Sequence, residues 1–196
     1  MRTGAVIPAA GKSSRMGKFK PLLMIGNHSA AERLILTLQA AGIKDIALIT
    51  GNNAESLENS LKHCNVVFLR NELFEHNEMF DSIKIGLGYM KDKCDKILLT
   101  PVDVPIFSVE TVKKLLKSVT RVSIPTCNQK TGHPIVISSE LVDGILNYSG
   151  SGGLKGALKE LSPEIGYIET GDAGILLDMD TPSDYREATK LYTGKP

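Results

Sequence analysis

Residues 4–20 read GAVIPAAGKSSRMGKFK: an apolar run, then a loop with two further glycines, two serines, the four basic side chains of Lys12, Arg15, Lys18 and Lys20, and no acid. The run fits a buried strand, and a glycine loop behind it offers backbone N–H groups at the carboxyl edge of a sheet, where open α/β folds bind ligands. Phosphate is the natural guest. Two phosphate motifs fail on spacing. From Gly11 to Gly17 there are five intervening residues where a P-loop has four, and Phe19 stands where its magnesium-binding hydroxyl belongs. The later stretch GSGGLKG has Lys155 in place of the last glycine of a dinucleotide fingerprint. What remains is G-x-S-x-R-M-G-x-x-K, in which Gly11 lets the backbone approach an anion while Arg15 and Lys20 bring a planar fork and a point charge to it. A solvated basic loop is the plain structural alternative.

Outward from this loop, short apolar runs alternate with amphipathic stretches. GAVIPA, DIALIT, NVVFL, KILLTPVDV and RVSIP read as buried strands; SAAERLILTLQAAG, NAESLENSLKH, DSIKIGLGYMK and SVETVKKLLKS carry apolar residues at helical spacing. Such alternation predicts a three-layer, Rossmann-like α/β fold with a mostly parallel central sheet. The second half adds a strand HPIVIS, a helix SELVDGILNY, a glycine loop SGSGG, a helix LKGALKEL, strands IGYIET and ILLDMD, and a last helix TPSDYREATKLY. With 196 residues, 42% of them hydrophobic, and neither linker nor repeat, residues 1–196 are expected to form one domain.

Composition excludes several partners. A net charge of +1 argues against a general nucleic-acid or membrane surface. The three cysteines, Cys64, Cys94 and Cys127, form neither a disulfide framework nor a zinc knuckle by spacing; Cys64 and Cys94 flank apolar strands and are expected to be small core residues. A reducing, cytoplasmic location is expected, because the first apolar run is too short for a signal sequence and no run reaches membrane-spanning length.

Carboxylates at two later strand ends complement the basic loop. Asp103 follows a buried strand in KILLTPVDVP and is bracketed by Pro101 and Pro105, which stiffen the turn; its plain structural reading is a turn aspartate bonding its own backbone. In LLDMDTPSDY, Asp178 and Asp180 stand two apart on an expected strand and would therefore share a face. Thr181, Pro182 and Asp184 read as an N-cap, an N1 proline and an N3 acid that begin the final helix.

In order along nearly the whole chain, AAGKSSRMGKFKPLL, NEMFDSIKIGL, TPVDVP, GHPIVI, SGGLKGAL and LLDMDTPSDY resemble the molybdopterin cytidylyltransferase-like branch of the nucleotidyltransferases. The resemblance implies a nucleotidyltransferase fold whose N-terminal half binds a nucleoside triphosphate and whose C-terminal half binds a phosphorylated acceptor. Ala9, Ala10 and Gly11 would touch the nucleotide, with Asn71, Ser82 and Asp103 near it; Arg15 and Lys20 would be the catalytic phosphate-binding cations. Asp103 and Asp180 would hold Mg2+. AAG rather than AGG favours CTP, molybdopterin is the implied acceptor, and a molybdenum hydroxylase is a further implied partner. Two positions depart from the family pattern: Glu78 precedes Met79 where a glycine is usual, and Ser151 replaces an acid in the late glycine loop. Both concern the acceptor or base surroundings and leave the reaction type intact. His133 in GHPIVI is read as structural. A nucleotide-sugar glycosyltransferase, a transferase acting on a sugar phosphate, and a non-catalytic nucleotide-binding module are the rival readings; pyrophosphate release from free triphosphate separates the first and last from a nucleotidyltransferase.

Overall fold

Strand β1 (Thr3–Pro8) has no polar side chain after Thr3, and it lies in the interior of a sheet, paired in parallel with β4 (Asp45–Thr50) on one side and β6 (Lys96–Leu99) on the other. The computed structural model describes residues 1–12, 16–76 and 78–193. Both faces of β1 are covered: Ala5 and Ile7 join one apolar cluster and Val6 the other, as expected for a parallel strand buried on both sides. The same alternation sends Ile46 and Leu48 of β4 to the first cluster and Ala47 and Ile49 to the second.

The remaining elements follow in chain order. A short hairpin of β2 (Met24–Ile25) and β3 (His28–Ser29) leads into α1 (Ala30–Ala40); α2 (Ala54–Leu61) follows β4, and β5 (Val67–Arg70) and α3 (Met79–Met90) precede β6. Then come α4 (Val109–Lys117), β7 (Val122–Cys127), β8 (Lys130–Thr131), β9 (Ile135–Ser138), α5 (Val142–Asn147), α6 (Gly153–Leu161), β10 (Ile165–Glu169) and α7 (Pro182–Thr193). The sheet order is β10-β7-β9-β6-β1-β4-β5, with β8 paired to β7. Of the strands on this path only β9 is reversed, antiparallel to both β6 and β7. Helices α1, α2 and α4 pack on one face, and α3, α5 and α6 on the other, which completes the three-layer α/β fold that the alternation predicts. Among the described residues no helix is long and apolar enough to cross a membrane.

Helix α3 sits close to the sheet because Gly86 faces it. A Cβ there would come within 2.3 Å of Val6 Cγ1 and 2.9 Å of Ile49 Cδ1. The final helix packs elsewhere, on the hairpin. Ile25, Ala30, Ile106, Met179 and Ala188 form a third cluster, Tyr185 Oη donates to the carbonyl of Met24 at 2.6 Å, and the Arg33 guanidinium lies 3.8 Å from the Tyr192 ring centre.

One expected strand is absent. ILLDMD forms a 3-10 turn over Ala173–Leu176 and then an irregular passage, in which the Met179 N–H donates to the Asp103 carbonyl and the Asp180 N–H to the Asp178 carbonyl, both at 2.9 Å. Its apolar alternation is satisfied by sending Ile175 into the first cluster and Met179 into the third, so no ladder is needed. Asp178 and Asp180 therefore do not share a strand face. The expected cap of α7 is present: the Thr181 N–H and hydroxyl both donate to Asp184 Oδ2 at 2.8 Å, and the Asp184 N–H returns to Thr181 Oγ1 at 3.3 Å.

Candidate active site

The loop behind β1 is tied to the end of β4. Ala9 N–H donates to the Ile49 carbonyl at 2.9 Å, and Asn52 N–H donates to the Ala10 carbonyl at 3.1 Å. Gly51 permits the close approach, since a Cβ there would come within 2.8 Å of both Ala10 Cβ and Phe74 Cβ. Gly11 is exposed at the rim. Arg15, with Ser13 and Ser14, lies outside the described residues.

Lys20 opens a 3-10 turn, Lys20–Leu22, with Pro21 at its start, and its side chain turns inward. Its ammonium donates to Asp103 Oδ2 at 3.1 Å and to Asp180 Oδ1 at 2.5 Å. Only 10% of the Lys20 side chain is exposed, against 19% for Asp103 and 26% for Asp180. The turn carrying Asp103 is held by Val102 N–H to the Pro8 carbonyl and Val104 N–H to the Pro101 carbonyl, both at 3.3 Å. Three segments separated by 83 and 160 residues thus meet at one point, at the carboxyl ends of β1 and β6.

Electrostatics tighten the cluster. Burial alone would lower the Lys20 pKa, but the hydrogen bonds and charges of Asp180 and Asp103 outweigh it and hold the ammonium above its ordinary range. Asp178 is pushed up, first by loss of solvent around its carboxyl and then by the charges of Asp103 and Asp180. A third acid thus faces the pair without an equal share of the cation. All the nearby donors are carboxylate oxygens, and one ammonium already bridges two of them as a stand-in cation, so the residues fit a hard divalent ion.

This cluster lines a cleft of about 180 Å³ together with Pro8, Ala9 and Gly11. A second lobe of about 90 Å³ adjoins it, sharing Pro8, Gly11 and Met79, and is lined by Ala10, Asn71, Phe74, Glu78 and Ser82. Asn71 and Ser82 are both buried, and Asn71 Nδ2 donates to Ser82 Oγ at 3.0 Å. Of the expected site residues, Ala9, Gly11, Lys20, Asp103 and Asp180 therefore line one lobe, and Ala10, Asn71 and Ser82 the other, with Gly11 in both. Phe74 is a lining residue that carries no signal in the sequence, because it occupies irregular backbone where periodicity says nothing; Pro21, inside the first motif, lines the cleft although no role is expected of it. Glu78 begins α3, its N–H donating to Asp81 Oδ2 at 2.9 Å, so the position unusual for the family is a helix start at the lobe's edge.

His133 stands just before β9, and because β9 is reversed, with Ile135 opposite Leu99, it arrives at the same edge of the sheet as Asp103. Its Nδ1 is buried without a hydrogen-bond partner among the described residues. Burial pushes its pKa down, against the opposing charge of Asp103. Cys94 is buried in the second cluster, as expected, whereas Cys64 is only half-buried at the margin of the first.

Known proteins resemble this chain in sequence and in fold. The chain is 27% identical to a molybdenum cofactor cytidylyltransferase from Escherichia coli (strain K12), over 191 residues that cover 96% of each chain. A nucleotidyl transferase structure from Methanothermobacter superposes with a TM-score of 0.86 at 22% identity, covering 98% of both chains. A Mycobacterium tuberculosis H37Rv protein, Rv0371C in complex with manganese, gives a TM-score of 0.78 at 19% identity over 97% of this chain and 99% of that one. Residues 5–165, from β1 to the start of β10, match the family described as the MobA-like NTP transferase domain, and the chain belongs to that nucleotidyltransferase family.

Proposed function

We propose that the protein transfers the CMP moiety of CTP to a phosphorylated acceptor, molybdopterin in the first instance, with release of pyrophosphate. The observation that carries this reading is the convergence of Lys20, Asp103 and Asp180 in one lobe that opens directly onto a second recess, which contains Ala10, Asn71 and Ser82 and has Glu78 as its one charged lining residue. A triphosphate needs the first and a nucleoside the second. The relative whose name specifies a cytidylyltransferase supports CTP and the molybdenum cofactor as donor and acceptor, and residues 1–196 are read as one domain with its nucleotide-binding half first.

In this reading an acceptor phosphate attacks the α-phosphorus in line, and two anions must be brought together, so positioning and charge neutralisation are the catalysis. Lys20, desolvated yet held charged by its two acids, keeps a fixed positive charge beside the α-phosphoryl group, where negative charge grows. A divalent ion on Asp103 and Asp180, with Mg2+ the proposed one, would neutralise phosphate oxygens. Arg15, assigned from its motif, holds the departing pyrophosphate. Asn71 and Ser82 offer an amide and a hydroxyl to the nucleoside, and Ala10 narrows the recess against a larger base. The C-terminal half contributes Asp180 on one side and the glycine loop 149–153, which reaches the recess through Glu78, on the other. A molybdenum hydroxylase as recipient of the product is part of the same proposal.

The test is pyrophosphate release with CTP, GTP and ATP in turn, in Mg2+, against molybdopterin and a set of phosphorylated small molecules. Turnover of CTP with molybdopterin is expected. Turnover with sugar phosphates alone would overturn the acceptor, and nucleotide binding without turnover of any acceptor would overturn the reaction.

A further inference from the structure

On the outer surface of the first apolar layer, away from both lobes of the cleft, two segments bring three unlike donors together. Glu32 lies in the first turn of α1, while His63 and Cys64 follow the end of α2. One donor atom from each, a carboxylate oxygen, an imidazole nitrogen and the thiol sulfur, all lie within 4.8 Å of one another. His63 Nε2 is 2.9 Å from Glu32 Oε1, and His28 Nδ1, from the hairpin, is 3.3 Å from Glu32 Oε2.

A carboxylate between two imidazoles is an ordinary surface ion pair when the rings are protonated. The thiol adds nothing to an ion pair. It does complete a mixed oxygen, nitrogen and sulfur donor set, the kind that selects borderline transition cations over Mg2+ or Ca2+. The geometry points to a site for such a divalent cation, of which Zn2+ is representative, held by Glu32, His63 and Cys64 with water in the fourth position.

Metal–ligand bonds of about 2.0–2.3 Å in a tetrahedron set the ligands roughly 3.3–3.8 Å apart, so a pair at the 4.8 Å limit draws in by about 1.0–1.5 Å while His63 Nε2 and Glu32 Oε1, 2.9 Å apart, part slightly. With 59% of its side chain exposed, His63 is free to make that movement. On binding, the Cys64 S–H bond breaks and its proton passes to solvent as the metal–sulfur bond forms, and His63 binds as the neutral ring. His28 would then hold the carboxylate from behind through Oε2, an outer partner of the kind that orients metal ligands. Bound metal would tie α1 to the connection between α2 and β5. Nothing in this assignment depends on the nucleotide chemistry, since none of these four residues lines either lobe.

Cobalt is the probe, because a thiolate ligand gives Co2+ an intense near-ultraviolet charge-transfer band that carboxylate and imidazole do not. Metal-stripped full-length protein titrated with Co2+ should develop this band to a stoichiometric end point, and Zn2+ should abolish it. Cys64→Ser should remove the band and Cys94→Ser should leave it. His28→Ala should weaken binding by about 10- to 100-fold without removing the band. Asp103→Asn should leave it unchanged, which separates this site from the cleft. Should Cys64→Ser fail to fold, Glu32→Gln provides the second variant, with weakened binding expected. Absence of the band in the parent protein, or its survival in Cys64→Ser, would overturn the assignment.

Discussion

Replacing Lys20 by Met keeps most of the side-chain volume and removes the charge, leaving the carboxylates of Asp103 and Asp180 without their shared cation and within reach of the charge on Asp178. Breaking a fully buried ion network by deleting one partner costs about 3–5 kcal/mol, and losing an exposed pair about 0–1 kcal/mol. With side chains between 10% and 26% exposed, this cluster stands between those limits, at about 1–3 kcal/mol. For a chain of this size each kcal/mol moves Tm by about 2–4 °C, so Lys20→Met in EDTA should melt roughly 2–12 °C below the parent. The parent's own contribution from Lys20 should be constant across neutral pH: its folded pKa is raised, so that contribution is complete below the unfolded value and is lost only as alkaline pH passes the folded one. The decisive comparison is the same melt in saturating Mg2+. If the acids form a metal site, the ion supplies the missing charge, the Tm deficit shrinks, and the variant binds Mg2+ more tightly than the parent because no ammonium competes, while turnover falls by about a hundredfold or more. Thermal melts and Mg2+ calorimetry on both proteins read these quantities. An equal Tm deficit with and without Mg2+ would refute the reasoning.

Asp103→Ala should fold and lose about a hundredfold or more of its turnover, measured as pyrophosphate release; substantial activity would remove Asp103 from the metal site. Asp178→Asn should raise Tm in metal-free buffer at neutral pH, because a carboxyl with a raised folded pKa costs stability as pH climbs through it; the gain should fade as pH falls below that range, and a pH series of melts checks it. Ala10→Gly should relax the preference for CTP over GTP, read as a ratio of kcat/KM values, without conferring full GTP activity; an unchanged ratio would take Ala10 out of base selection. Gly86→Ala should destabilise by about 1–3 kcal/mol in urea despite a better helix propensity, because its Cβ would press α3 off Val6 and Ile49.

The strands and helices were legible wherever a local pattern and the tertiary environment agree. DIALIT is read as a strand and has those bounds in the structure, and Thr181, Pro182 and Asp184 start α7 as their types require. The pattern misleads at ILLDMD, where Ile175 and Met179, four apart, are buried in different clusters by a winding chain. The β2–β3 hairpin escaped notice because its strands are two residues long; only Gly26, at φ +64°, marks the turn. In the cleft, residue types at strand ends pointed to Lys20, Asp103 and Asp180 separately. That a single ammonium would join both acids depends on sheet order, which no local pattern encodes. The same limit hid Cys64: spacing rules look for metal ligands close in sequence, and Glu32 is brought to it because α1 and α2 share one face of the sheet.

The contact between Lys20 and Asp180 spans 160 residues, and the link from Met179 to Asp103 spans the turn that carries the other acid. Every strand of the sheet ends before Asp180 is reached. During synthesis the sheet can therefore assemble with Lys20 and Asp103 already in place, while Asp180 is still missing from the cleft. Only when the segment after β10 has emerged and α7 has docked on the hairpin is Asp180 delivered to Lys20. On the proposed reading the site is thus completed only after its sheet, and a protease that trims α7 is expected to loosen Asp180 while leaving a folded sheet behind.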